Sequence, residues 1–161
     1  MKLLFLCTHN RCRSVLCEAI TRDLADGQVD AASAGSHPAG NVHPQTLIHL
    51  ERRGYSTANL NSKGFEAVAD FEPDAVITVC DQAAQESCPV WLDSAVSVHW
   101  GLPDPTHVSY STQEMDETFD VVMATIARRI QRLLAEMRMD MSSEQLTGLL
   151  TRIGEEDHGT V

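Results

Sequence analysis

Cys7 and Arg13 stand with five residues between them in the stretch L-C-T-H-N-R-C-R-S, positions 6 to 14. A cysteine followed at that interval by an arginine suits one kind of chemistry: holding an oxyanion against a thiolate. Where a loop turns into a helix, successive N–H groups point inward at the positive end of the helix dipole and form a nest for an anion. Arg13 can grip two oxygens with its planar fork, which a lysine would not reproduce. The same amides and guanidinium stabilise a thiolate at Cys7, and Ser14 can donate its hydroxyl to that sulfur. Thr8, His9, Asn10, Arg11, Cys12 and Arg13 are the expected lining, with Asn10 suited to the left-handed backbone such a turn requires. Two more thiols, Cys80 and Cys88, lie far along the chain with seven residues between them. Extra thiols beside a nucleophilic one point to a bound anion that is reduced rather than only displaced.

These side chains need elements to carry them. Residues 2–6 read as a buried strand, apolar after Lys2, and from Ser14 a helical face runs through Val15, Leu16, Ala19, Ile20 and Leu24 until Gly27. A second strand is expected over 29–34 and a helix over 43–53. A third strand, 74–79, empties into Cys80, and a fourth, 95–100, empties into Gly101-Leu102-Pro103-Asp104-Pro105. Residues 81–87 show no strand or helix pattern and are expected to form a mobile connection. A long amphipathic helix is predicted over 112–138. Strands alternating with helices argue for a three-layer α/β sandwich around a parallel sheet, whose ligands collect beyond the carboxyl ends of the strands. Cys7, Cys80 and Asp104 each follow a predicted strand. Residues 1–141 are read as the catalytic domain and 142–161 as a tail with a short helix and a frayed polar end from Gly154.

Composition narrows the setting. A net charge of −11 argues against nucleic acid or an anionic membrane as partner, yet residues 7–14 hold two arginines and no acid. The first residues lack a signal-like apolar stretch, and no later run suits a membrane helix, so a cytoplasmic location is expected. There, five cysteines are thiols with chemistry rather than a disulfide framework. Cys12 and Cys17 read as structural thiols. The six-residue spacing of His37, His43 and His49 does not gather them on one helix face, so no metal site is expected from them. Arg128, Arg129 and Arg132 read as a solvated helix face, and Trp91 and Trp100 as anchors for the loops beside them.

The stretch V/L-x-F-L-C-T-x-N-x-C-R-S, met here from Leu3 to Ser14, resembles the phosphate-binding loop of the low-molecular-weight protein tyrosine phosphatase superfamily. Asp104-Pro105 resembles its acid loop, and the order of elements is similar from residue 1 to about 135. The resemblance implies a four-stranded parallel sheet in the order 2-1-3-4, with Cys7 as nucleophile, Arg13 as oxyanion clamp and Asp104 as proton donor. A phosphatase needs only those three. The segment V-I-T-V-C-D-Q-A-A-Q-E-S-C-P-V-W, followed by W-G-L-P-D-P, is similar to the thioredoxin-coupled arsenate reductases of the same fold. That similarity implies arsenate as substrate, with phosphate or sulfate as analogues, and a relay in which Cys80 attacks Cys7 and Cys88 then attacks Cys80. Thioredoxin or glutaredoxin would remove the final disulfide, and no cofactor is implied. Some members of the superfamily hold a potassium ion beside the loop, and Asn10, Glu18 and Ser33 stand where its ligands would fall. Thr106, His107 and Val108 occupy the positions where such phosphatases carry an aromatic wall. Two other readings stay open: a phosphatase acting on phosphate monoesters, and a non-enzymatic thiol redox or arsenite sensor.

Overall fold

A computed structural model describes residues 1–156. Its sheet has four parallel strands, β1 (Lys2–Leu6), β2 (Asp30–Ala34), β3 (Ala75–Thr78) and β4 (Val96–His99), in the order β2-β1-β3-β4. The helices are α1 (Arg13–Ala25), α2 (Pro44–Arg52), α3 (Asp81–Gln85), α4 (Thr112–Glu136) and α5 (Ser143–Glu156). The order expected from the resemblance is the one found.

Alternate side chains of β1 leave opposite faces of the sheet. Leu3 and Phe5 join Leu16 and Ile20 of α1, Phe119, Met123, Ile126 and Ile130 of α4, and Leu149, Leu150 and Ile153 of α5. Leu4 and Leu6 turn to the other face, where Val68, Leu92, Phe65 and Phe71 cover them. That second layer is thin, formed around two single 3-10 turns, Phe65–Val68 and Val90–Leu92. Both faces being covered explains why β1 and β3 are apolar without alternation.

Ladder bonds continue past the strands and draw the three loops together. Cys7 N–H donates to Ala34 O, Val79 N–H to Leu6 O, Trp100 N–H to Thr78 O and Leu102 N–H to Val79 O. Cys7, Cys80 and the 101–105 loop therefore emerge at one end of the sheet.

Four expectations change. The connection after β3 is not patternless: Asp81–Gln85 closes a short helix, with Cys80 as its N-cap accepting from Ala83 N–H at 3.3 Å. The segment after 142 forms a 14-residue helix seated on the core, and Gly154, expected to begin a frayed end, is buried within it. A Cβ at Gly154 would meet Trp100 Cδ1 at 2.6 Å, so only glycine allows this approach. Residues 157–161 of that expected frayed end lie outside the described residues. Finally, Arg129 is not on a solvated face. It is buried, with its guanidinium 5.6 Å from the Trp100 ring and an N–H directed at Gly154 O. Trp100 itself donates to Leu150 O at 2.8 Å, as an anchor should. Trp91 does not behave as one: it is 40% exposed and lines an open cleft with Pro38, Phe65 and Pro89.

Candidate active site

The loop from Cys7 to Cys12 owes its shape to its carbonyls. Thr8 O accepts from His37 N–H, His9 O from Ala39 N–H and the Ser62 hydroxyl, and Arg11 O from His43 N–H and the Thr46 hydroxyl. A trans peptide sets its C=O and N–H on opposite sides. Carbonyls drawn outward thus turn the following amides of His9, Asn10 and Cys12 toward the inside of the turn. Asn10 makes the bend with φ 44°, as its residue type suggested. Beneath the loop, a Cβ on Gly35 would lie 2.5 Å from Thr8 O, so glycine is required where β2 ends. Helix α1 then starts with no side-chain cap and no acid in its first turn, leaving its positive end for a ligand.

Cys7 is buried, its Sγ 2.8 Å from Ser14 Oγ. Asn10 Nδ2 donates to the same hydroxyl at 2.8 Å and to Ser33 Oγ at 2.9 Å, so Ser14 is free to give its own proton to the sulfur. Arg13 donates to Leu102 O at 3.1 Å, which ties the loop to the one bearing Asp104. There, Asp104 Oδ1 accepts from Thr106 N–H at 2.9 Å and from the Thr106 hydroxyl at 2.7 Å. Burial pushes the Asp104 carboxyl up, but these bonds and the nearby Arg13 and Arg11 outweigh it and hold the group below its ordinary range. No aromatic wall follows: Thr106 is buried under the carboxylate, Val108 is 96% exposed, and His107 packs against Tyr110.

The other thiols separate by environment. Cys12 and Cys17 are both buried, and burial pushes their thiols up, Cys12 to about 12. Cys80 is buried with its Sγ 3.6 Å from Thr8 Oγ1, beside the residue that follows Cys7. Cys88 is exposed; partial burial, Asp93 and Glu86 push its thiol up.

The potassium expectation is corrected. Glu18 and Ser33 meet around an ammonium instead: Lys63 Nζ lies 3.3 Å from Ser33 Oγ and 3.6 Å from Glu18 Oε1, with Arg22 on Glu18 at 3.1 Å, while Asn10 donates its Nδ2 to Ser33 Oγ. A free monovalent cation would be repelled from that place, so the residues present do not fit one. Lys63 also donates its backbone N–H to Asn10 Oδ1 at 2.9 Å, bracing the bend of the loop. Sequence reading missed Lys63, Gly35, Thr46 and Glu86, because each reaches the loop from 27 to 78 positions away. No local spacing marks such partners. The histidines serve locally: His43 caps α2, and His49 stacks on Phe119 with ring centroids 4.0 Å apart.

The arrangement could hold a tetrahedral oxyanion, with the Cys7 thiol in the loop, Arg13 at its end, the Asp104 carboxylate in the loop that Arg13 bonds and the Cys80 thiol adjacent. Comparisons agree with it. A family model for low molecular weight phosphotyrosine protein phosphatase matches residues 2–143. A glutaredoxin arsenate reductase of Synechocystis is 26% identical over 136 residues, 84% of this chain and 98% of that protein. An arsenate reductase solved in its phosphate-binding state superposes with a TM-score of 0.69 at 27% identity, covering 85% of this chain and 98% of that one. A thioredoxin-dependent arsenate reductase of Corynebacterium glutamicum gives a TM-score of 0.59 at 28% identity, covering 81% and 61% respectively.

Proposed function

Because this chain belongs to the low molecular weight phosphotyrosine protein phosphatase family, and carries one further thiol, Cys80, beside the family's anion loop and an exposed one, Cys88, eight positions on, we propose that it is an arsenate reductase working through Cys7, Cys80 and Cys88 in succession. The observation that carries this reading is the contact between Cys80 and Thr8. A hydrolase would have no use for a buried thiol there.

Arsenate enters the cradle, held by the inward amides and by Arg13 in place of its bond to Leu102 O. Cys7 attacks arsenic, a sulfur–arsenic bond forms, and one oxygen leaves as water with a proton from Asp104. That carboxyl is ionised in the free protein. It becomes a donor when the bound oxyanion's negative charge raises its proton affinity. Cys80 then attacks the Cys7 sulfur. The sulfur–arsenic bond breaks with its electron pair on arsenic, arsenic(V) leaves as arsenite, and a Cys7–Cys80 disulfide remains. Cys88 attacks Cys80, releases Cys7 and carries the disulfide outward to a thiol carrier. For that step α3 must unwind, since bridged cysteines need Cα atoms within about 7 Å. Five helical residues between the two thiols cost little to undo. Both carrier types occur among the relatives, so thioredoxin and glutaredoxin are both candidates for this chain.

The test is a coupled assay of arsenate reduction with either carrier system, with hydrolysis of an aryl phosphate as control. Arsenate-dependent turnover is expected with one of the carriers. Cys88→Ser should release one arsenite per chain and stall. Arsenate reduction that survives in Cys80→Ser would remove the relay, and brisk aryl-phosphate hydrolysis without arsenate turnover would make the chain a phosphatase.

A further inference from the structure

Glu86, two residues before Cys88, is bonded through both oxygens. Oε1 accepts from the Thr8 hydroxyl at 3.3 Å, and Oε2 accepts from the Ser36 hydroxyl. It thereby joins three pieces of chain: the anion loop, the segment after β2 and the stretch between the two relay cysteines. A carboxylate is a poor neighbour for a loop that attracts oxyanions, and counting donors gives a reason for its presence. Thr8 Oγ1 also lies 3.6 Å from Cys80 Sγ. A hydroxyl owns one proton. While Glu86 receives it, the Thr8 oxygen has only lone pairs to offer Cys80. Once Glu86 withdraws, the Thr8 O–H can turn to Cys80 and, with the Ala83 N–H at 3.3 Å, stabilise a thiolate there.

We propose that Glu86 is a positioning residue that keeps the Thr8 proton from Cys80 and the Cys88 segment held to the loop until an oxyanion fills the cradle. The trigger is repulsion. An anion enclosed by the amides flanking Thr8 brings negative charge close to the carboxylate, in surroundings where water screens it poorly. Glu86 loosens, the Thr8 hydroxyl turns its proton to the Cys80 sulfur, and the thiolate so stabilised attacks the Cys7 sulfur only when substrate is bound. The purpose of this device rests on the relay proposed above, but its test does not.

The reduced full-length chain is treated with iodoacetamide, with and without inorganic phosphate, and alkylation of Cys80 is followed by peptide mass spectrometry. In the unmodified protein, phosphate should protect Cys7 and speed Cys80 alkylation about tenfold, the scale of one hydrogen bond to a charged group. Glu86→Ala should alkylate Cys80 at the fast rate without phosphate. Glu86→Gln keeps the shape and an acceptor oxygen but no charge, so phosphate should no longer accelerate the reaction. A merely structural role would leave Glu86→Gln responding like the unmodified protein. That result, or equal Cys80 rates in the phosphate-free unmodified and alanine proteins, overturns the proposal. A chain that reduces arsenate yet shows no phosphate response at Cys80 keeps the function and loses this device; the reverse result separates them the other way.

Discussion

Lys63 shows how a single side chain can settle a question that a motif leaves open. Its ammonium supplies, from within the chain, the positive charge that the buried Glu18 needs: burial pushes the Glu18 carboxyl up, and Lys63 and Arg22 pull against it. Catalytic rates in potassium and sodium chloride should therefore coincide at matched ionic strength. Lys63→Ala should lose about 3 kcal/mol of stability in denaturant titrations, as expected when one partner of a buried pair is removed. It should also become sensitive to added potassium. Ser14 invites a parallel measurement. Ser14→Ala removes the hydroxyl 2.8 Å from the Cys7 sulfur. Alkylation of Cys7 at neutral pH should slow by roughly tenfold or more, the range for a hydrogen bond to a charged group. Cys7, Arg13, Ser14 and Asn10 were legible in the sequence because the loop that uses them is local. Lys63 and Glu86 were not, because their meaning depends on the chain folding back over dozens of residues.

At the level of elements, strands proved easier to read than the helices near the site. Apolar runs such as Leu3–Leu6 leave few alternatives when both faces of a sheet are covered. Helix α3 escaped because five residues are too few for a periodic pattern, and its cap is a cysteine, an unusual one. Helix α5 was underestimated for another reason. Leu146, Leu149, Leu150 and Ile153 do follow a helical stripe, but Gly154 reads as a stop signal. Its purpose is tertiary: it lets the helix backbone rest against the indole of Trp100. Gly154→Ala should therefore destabilise the protein, against the usual gain from adding helix propensity. An overpacking cost of about 1–3 kcal/mol is expected, lowering the melting temperature by about 2–4 °C per kcal/mol for a chain of this size.

Across the whole molecule, parallel strands gather the ends of β1, β3 and β4 into one rim, and that rim supplies the chemistry while the helices supply stability. Acidity enters through the packing of α2 on α4. His49 is buried against Phe119, and burial lowers its proton affinity from the usual 6.5, although Asp116 at 3.1 Å pulls the other way. The unfolded chain therefore binds this proton more readily than the folded one. The contribution of His49 is fully present above about pH 6.5 and is lost as the pH falls below that toward its lowered folded value. Melting temperatures recorded from pH 8 to 5 should fall more steeply for the natural chain than for His49→Gln. Net charge, by contrast, says nothing about the site: a chain of −11 builds a pocket for anions because a few amides and Arg13 outweigh distant carboxylates at contact range.

The family likeness stops at residue 143, where α5 begins, yet α5 roofs the tryptophan from which the loop bearing Asp104 departs. A helix packed on the same face as α1 is thus mechanically in series with the loop that bears Asp104. Trimming the chain to its shared portion would unseat that indole and let the acid loop drift, so the last helix works as a tensioner for a reaction it never touches.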